Sequence, residues 1–449
     1  MGAGEGTPAA PDPTGQVEQP EELAGRKIAA MATRGRVTPT DYENPYRPVP
    51  VRILNRIGNV GRNLGLAGPL RVDALVNQAK RKTGLADFGD DGHLRALQAL
   101  VESINDEARL TATGRFIQKS RLADALVHRL RIEDLLATHP EIHDLALGKI
   151  VLVTGLQRSG TTLLQRLLGS HPEIEGVSAA EALDPVRAPR AKASQTDART
   201  RRARLAQGVI SYLSPQFMAV HPMDHSEPDE DVLLLDLNFM SQSAEATMHV
   251  PSYSRWLEGQ DHARTYRYFL KVLKVLCWQR PRALWVLKTP HHMEYLDVFL
   301  KVFPDATIVQ THRDPRVALP SFCSMVAHGR GIFSDCVEPR EVGRHWCRKT
   351  RRMVELTMQA RDAAEGSRFL DVSYYDLLRD PIAELRRICR YAGIGFDDNA
   401  ERAAARYMRA NPQHRFGKHI YRLGDFGLTE EIVEEAFSAY RQKHAIPFE

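Results

Sequence analysis

The stretch from Ile150 to Leu168, IVLVTGLQRSGTTLLQRLL, constrains this chain more than any other. Its first half is a short, continuous, β-branched apolar run, the texture of a strand buried on both faces of a parallel sheet. Its second half puts Leu163, Leu164, Leu167 and Leu168 on one side of a helix. Gly155 and Gly160 lie between, at the G-x4-G spacing of a phosphate-binding loop. Such a turn offers backbone N–H groups and the positive end of a helix dipole to a dianion. After Gly160 comes Thr161, where a nucleoside triphosphatase carries lysine, and the positive charge comes from Arg158 inside the loop.

Runs of the same texture recur at Leu284 to Leu287, Thr307 to Thr311 and Phe369 to Ser373. Helical spacing separates them, as at Tyr266 to Trp278 and Glu294 to Phe303. Strands alternating with helices predict an α/β fold, a P-loop-like parallel sheet flanked by helices. Upstream, Leu94, Leu97, Val101, Ile104 and Ala108, and again Leu122, Leu126 and Leu130, repeat at helical steps. They predict an N-terminal helical region over 51–147, ahead of an α/β domain over 148–449 with a C-terminal helical extension. Residues 1–50, rich in Pro, Gly and charge, read as a tail, mobile or draped over the surface.

Composition excludes several classes. With 43% hydrophobic and 26% charged residues, the chain is neither disordered, collagen-like nor a disulfide scaffold. Lys+Arg 61 against Asp+Glu 56 leaves a net +5, which suits an anionic substrate but is too small to point to nucleic acid. Five cysteines without a C-x-x-C pair predict a reduced, cytoplasmic protein. No apolar run approaches the roughly 18 to 20 residues of a membrane helix. The first residues lack the apolar segment of a secretory leader, and Gly6 stands where a myristoylation motif wants Ser or Thr. No His/Cys spacing predicts a structural zinc site.

Three further positions bear chemistry. Arg313 leaves the strand TIVQT, with Ser321 eight residues on, and Lys288 ends the strand LWVL. Strand C-terminal ends share one edge of a parallel sheet, so Arg158 and Arg313 are expected to open onto one crevice. A triphosphatase commonly holds Mg²⁺ with an Asp at such a strand end; here the strand runs out through Thr311-His312-Arg313.

The segment Arg158-Ser-Gly-Thr-Thr resembles the 5′-phosphosulfate loop of sulfotransferases, in the form seen in tyrosylprotein sulfotransferases and many bacterial members. Arg313 with Ser321 resembles that superfamily's 3′-phosphate motif. LKTPHHMEYLDVFLKVFPDATIVQTHRDP is similar to the bacterial branch, and YYDLLRDP (Tyr374 to Pro381) to the family's Y-E-D-L segment, with Tyr375 in place of Glu. The segment from His419 to Leu428 is also similar to this branch. The resemblance covers about 150–395. It implies sulfuryl transfer from 3′-phosphoadenylyl sulfate (PAPS) to a hydroxyl or amine, with no metal required. It implies donor-binding roles for Arg158, Ser159, Gly160, Thr161, Thr162, Arg313, Ser321 and Tyr374, and puts Lys288 on the transferred group. For the base it points to Glu181, which follows the loop helix as a catalytic Glu does in R-S-G-T-T members. His292 is the rival, because other branches carry a His shortly after the comparable Lys. The cluster from His221 to Asp231 is a third candidate, its carboxylates suited to an acceptor pocket. The acceptor stays open between a small molecule and a lipid-like compound. Two other classes also stay open. A P-loop kinase or nucleotidase would need Mg²⁺ and ATP, and a nucleotide-binding scaffold would hold PAPS without turnover.

Overall fold

The computed structural model describes residues 42–64, 68–187, 198–221, 224, 227–411 and 420–449. Five strands form one parallel sheet: β1 (Lys149–Gly155), β2 (Ile174–Gly176), β3 (Leu284–Lys288), β4 (Thr307–His312) and β5 (Phe369–Ser373), in the order β2-β3-β1-β4-β5. The central β1 sets Leu152 beside Leu287 of β3 and Ile308 of β4. Alternate residues of β1 serve two cores. Ile150 and Leu152 pack with Phe269, Trp285 and Phe299 on one face. On the other, Val151 and Val153 meet Leu164, Leu167 and Leu168. A strand buried on both sides has no polar face to show, which is why these runs read as continuous apolar segments.

Helices cover the sheet. Ahead of it lie α1 (Val49–Asn63), α2 (Val72–Thr83), α3 (Gly92–Asp106) and α4 (Ala112–Thr138). Within the sheet region come α5 (Thr161–Gly169), α6 (Ala179–Leu183), α7 (Ala198–Leu213), α8 (Pro215–Val220) and α9 (Ala263–Gln279). The C-terminal half adds α10 (Leu296–Val302), α11 (Pro315–Phe333), α12 (Pro339–Asp362), α13 (Tyr374–Arg379), α14 (Pro381–Tyr391), α15 (Asp398–Ala410) and α16 (Glu430–Lys443). None of the described helices is long and apolar enough to cross a membrane.

The N-terminal helices form no separate unit. Leu97, Leu126 and Leu130 share their core with Phe239, Tyr253, Leu257, Ile332 and Phe333, so the chain returns twice to close it. Within the segment 1–50, Tyr42 is buried between His328 and Phe426, and α1 starts at Val49. Residues 1–41 lie outside the described residues, as does His419. One buried charge cluster ties the C-terminal half together. Lys349, fully enclosed in α12, meets Glu294 at 2.9 Å, Glu258 at 3.2 Å and Glu245 at 3.3 Å.

Candidate active site

The loop after β1 is shaped by three residues with positive φ: Gly155 (141°), Arg158 (68°) and Gly160 (88°). At Gly155 a Cβ would meet Thr311 Oγ1 at 2.4 Å and its carbonyl at 2.5 Å, so only glycine lets β1 and β4 close here. Arg158 takes the left-handed conformation at a cost of about 1 to 2 kcal/mol, and the loop must hold it there. Ser159 does this from beneath. Fully buried, its hydroxyl donates to the Leu156 carbonyl and shares a 2.6 Å hydrogen bond with Thr311 Oγ1. Gly160, as N-cap of α5, supplies no side chain to the first N–H groups of that helix, leaving its positive end open to an anion.

A cavity of about 360 Å³ opens over this turn, lined by Arg158, Thr161, Thr162, Arg313 and Tyr374 among others. Arg158 is half-buried. Its Nε donates to Ser321 Oγ at 3.1 Å and its Nη1 to the Val220 carbonyl at 3.3 Å. Burial, and then the neighbouring Arg313 charge, push its pKa below the ordinary guanidinium value, partly offset by Tyr421 and Tyr374. An anion in the cavity would relieve that strain. Arg313 donates through Nη1 to the Arg158 carbonyl at 2.9 Å and lies 4.1 Å over the ring of Tyr374. Its other two donors hold both carboxylate oxygens of Glu449, at 2.8 and 2.7 Å. Burial works against the Arg313 charge, but Glu449 and Tyr374 outweigh it and the pKa is raised.

Glu230 lines the other wall, with a buried lysine behind it. Lys288, only 2% exposed, sends Nζ to Glu230 Oε1 at 2.8 Å and to Thr162 Oγ1 at 3.4 Å. The Thr289 hydroxyl donates to the other oxygen of Glu230, at 3.1 Å. Burial alone would raise the Glu230 pKa, yet Lys288, His221 and Thr289 together hold it below the ordinary carboxylate value. It is therefore ionised at neutral pH. His221 lines the same cavity, and burial, more than the opposing Asp229 and Glu230, pushes its pKa down, leaving a neutral imidazole.

Behind this wall a buried chain fixes the lysine. Asp231 Oδ2 accepts from the Lys288 backbone N–H at 2.9 Å, and Oδ1 accepts from His292 Nε2 at 3.1 Å. That bond makes His292 Nδ1 the acceptor for the Tyr266 hydroxyl at 2.8 Å.

Residues 151–398 match the sulfotransferase family model, just over half of the chain. The chain belongs to the sulfotransferase family. Sulfotransferase STF1 from Mycobacterium tuberculosis H37Rv is 32% identical with a TM-score of 0.73, covering 82% of this chain and 99% of that one. STF9 from Mycobacterium avium is 28% identical with a TM-score of 0.77, covering 84% and 97%. Among curated relatives, the omega-hydroxy-beta-dihydromenaquinone-9 sulfotransferase Stf3 of Mycobacterium bovis is 25% identical over 266 residues. That match takes in 55% of this chain and 63% of the relative.

Most residues expected at this sulfotransferase's site come together. Arg158, Gly160, Thr161, Thr162, Arg313 and Tyr374 line one cavity, and Lys288 and Ser321 join it through Thr162 and Arg158. Ser159 is present beneath the loop, its hydroxyl taken up by the turn. Two expected residues lie elsewhere. Glu181 closes a capping box with Ser178 at the start of α6 and pairs with Arg282 and, at 3.6 Å, Arg280. Arg282 precedes β3 whereas Lys288 ends it, so the length of the strand separates Glu181 from the cavity. Burial opposes its charge, but Arg282 and the Ser178 N–H outweigh it and hold the carboxyl below its ordinary value. His292 is fully buried with both ring nitrogens engaged, as a support for Asp231. The carboxylate that does face the cavity beside Lys288 is Glu230, from the acidic cluster that ranked third. Asp231 belongs to that same cluster, and Tyr266 marks in sequence only the start of a helical stretch.

Away from the cavity, His312, Asp371 and His444 bring one metal-ligating atom each to within 4.8 Å of one another. Arg361 already holds both oxygens of Asp371, at 2.6 and 2.9 Å, and its charge opposes a cation there.

Proposed function

We propose that this sulfotransferase moves a sulfuryl group from PAPS to the hydroxyl of a lipid-like acceptor. One observation carries the reading: Arg158 and Arg313 share a cavity with Glu230, the buried partner of Lys288. In this reading Arg158, with Thr161, Thr162 and the first N–H groups of α5, holds the 5′-phosphosulfate. Arg313 and Ser321 hold the 3′-phosphate, the guanidinium fork matching its oxygens, and Tyr374 orients Arg313 from below.

Lys288 and Glu230 divide the chemistry. Glu230, ionised and facing the cavity, takes the proton of the acceptor hydroxyl as that oxygen bonds to sulfur. Lys288 neutralises charge growing on the phosphate oxygen as its bond to sulfur breaks. Adenosine 3′,5′-bisphosphate leaves, and the proton stays on Glu230 until solvent takes it. In the free protein the two groups pair with each other. The two guanidinium groups and Lys288 supply the positive charge, so we assign no metal to the transfer.

The acceptor class rests on two supports. The name of the curated relative gives a hydroxylated menaquinone as its acceptor. The cavity also has an apolar wall of Leu163, Pro290, Met325, Leu378 and Met408. Five unpaired cysteines, four of them buried, support a cytoplasmic setting. Radiolabelled PAPS incubated with hydroxy-terminated isoprenoid lipids in detergent tests the reading. Labelled lipid supports it, as does its loss in Glu230→Gln with donor binding intact. Unchanged turnover in Glu230→Gln together with its loss in His221→Ala would move the base to His221. Magnesium-dependent use of ATP would favour a kinase instead.

A further inference from the structure

The helix α1 carries an apolar face with nothing packed on it among the described residues. Its inner side is settled: Val51 and Asn55 are buried, Asn55 accepts from the Thr113 N–H at 3.0 Å, and Gly58 lies against Ala112 of α4. Its outer side presents Val49, Ile53, Leu54, Ile57 and Val60, each between 53% and 65% exposed. Phe116 of α4, one turn on from Ala112, is 71% exposed. Soluble surfaces rarely leave so many large aliphatic groups on one helix without a partner.

The charges around this face select the partner. Arg52 and Arg56 are exposed along it, and Val49–Asn63 contains no Asp or Glu. A two-fold contact between copies would bring α1 against α1, arginines around one seam and no acid on the helix to offset them. A bilayer with anionic headgroups satisfies both parts at once: apolar side chains enter the acyl boundary and arginines meet phosphates. We propose that α1, with Phe116, docks on an anionic lipid surface, so that the acceptor enters the cavity from the membrane. This rests on the lipid-like acceptor proposed above. The fold supplies the link between surface and site. Helix α11 has Met325 on the cavity wall, and its end, Phe333, accepts through its carbonyl from the Thr111 side chain at 3.1 Å, just ahead of α4. Those eight residues span about 12 Å, so one helix joins the cavity wall to the start of α4, which carries Phe116.

Vesicle co-sedimentation of the full chain tests the docking without needing activity. Vesicles of phosphatidylglycerol and phosphatidylcholine should bind the protein, and phosphatidylcholine alone much less. The double substitution Ile53→Ser/Ile57→Ser, and separately Phe116→Ser, should weaken binding to anionic vesicles at least tenfold for the double variant, and measurably for Phe116. All three residues are exposed, and a thermal melt checks that the fold survives. Sulfation of vesicle-borne lipid should fall in parallel, while a short water-soluble alcohol is turned over as before. Loss of vesicle binding in the variants leaves the docking standing even where no lipid is sulfated, in which case the acceptor reading fails alone. Three results overturn the docking: a wild type that ignores both vesicles, variants that bind as well as wild type, or a dimer that the double variant turns to monomer with vesicle binding unchanged.

Discussion

Replacing Glu449 by Gln should tighten the binding of adenosine 3′,5′-bisphosphate, the product the proposed transfer releases. Glu449 grips Arg313 with both carboxylate oxygens, and its backbone N–H is anchored on Asp314 Oδ2 at 2.9 Å. A 3′-phosphate arriving at Arg313 has to displace that fork. The pair is neither surface nor core, with side chains 12% and 33% exposed. Exposed pairs contribute up to about 1 kcal/mol, and removing one partner of a buried pair costs about 3 to 5. After screening by solvent, the competing interaction is set at about 1 to 2 kcal/mol, so its loss raises affinity about fivefold to thirtyfold. Adenosine 5′-monophosphate has no 3′-phosphate and should change within about twofold. Arg313 keeps its bond to the Arg158 carbonyl and its place over Tyr374, so the amide does not release it. Glu430→Gln makes the same change in net charge at a 71% exposed partner of Arg316 and serves as the control. Titration calorimetry on both nucleotides decides. Equal bisphosphate affinity in Glu449→Gln and wild type, or an equal gain for the monophosphate, means that Arg313 does not hold the 3′-phosphate.

Glu230→Gln should cost about 10² to 10⁴ in turnover with donor affinity nearly intact, read from single-turnover rates alongside nucleotide titration. Lys288→Ala should cost at least about 10² in turnover; rates within a few-fold of wild type would remove it from the chemistry. Turnover in excess chelator should match that without it, and specific restoration by Mg²⁺ would contradict the metal-free assignment. Lys349→Met leaves Glu245, Glu258 and Glu294 facing one another and should destabilise the fold by about 3 to 5 kcal/mol in denaturant titration. Burial holds His93 and His262 neutral with pKa values of about 4, so the unfolded chain takes up their protons first as pH falls below 6.5. Although burial opposes its charge, Glu245 is held at about 2 by Lys349 and His345, and its contribution is lost between pH 4.5 and 2. Calorimetric midpoints should therefore be level above about pH 6.5, decline towards pH 4 and fall further below it.

The fold was legible where local pattern and tertiary burial coincide. The three central strands β1, β3 and β4 announced themselves because each is enclosed on both faces and runs apolar without alternation. The edge strand β5 was legible from Phe369, Leu370 and Val372 although its Asp371 is exposed. The expected bounds Phe369 to Ser373 match β5, and Leu284 to Leu287 falls one residue short of β3. The edge strand β2 has only three residues, Ile174–Gly176, too few to establish any period. The seam between the helical region and the sheet was invisible for a different reason. The core around Leu126 is closed by Phe239, Tyr253 and Phe333, more than a hundred residues downstream, and no local spacing records that return.

The site divides along the same line. Arg158, Gly160, Thr161 and Thr162 are placed by the backbone geometry of one turn, and Arg313 by the end of one strand, so their placement follows from segments of a few residues. Choosing the carboxylate is a different problem, because a carboxylate's role depends on which cation reaches it. Glu181 lies in the first turn of the short helix α6, and Glu230 in the acidic run from Glu227 to Asp231. The first meets Arg282, 101 residues on, and is fixed at the start of a helix; the second meets Lys288, 58 residues on, over the cavity. His292 lies away from the cavity for a similar reason. After Lys288 turns its side chain to the cavity, Thr289 caps the short turn Pro290–Met293, and that turn carries His292 inward beneath Tyr266. Lys288 and His292 stand four residues apart in sequence, yet one reaches Thr162 and Glu230 on the cavity wall and the other is held in the core. Such a pair is separated only by the direction of the turn between them, which the residue types there permit but do not dictate.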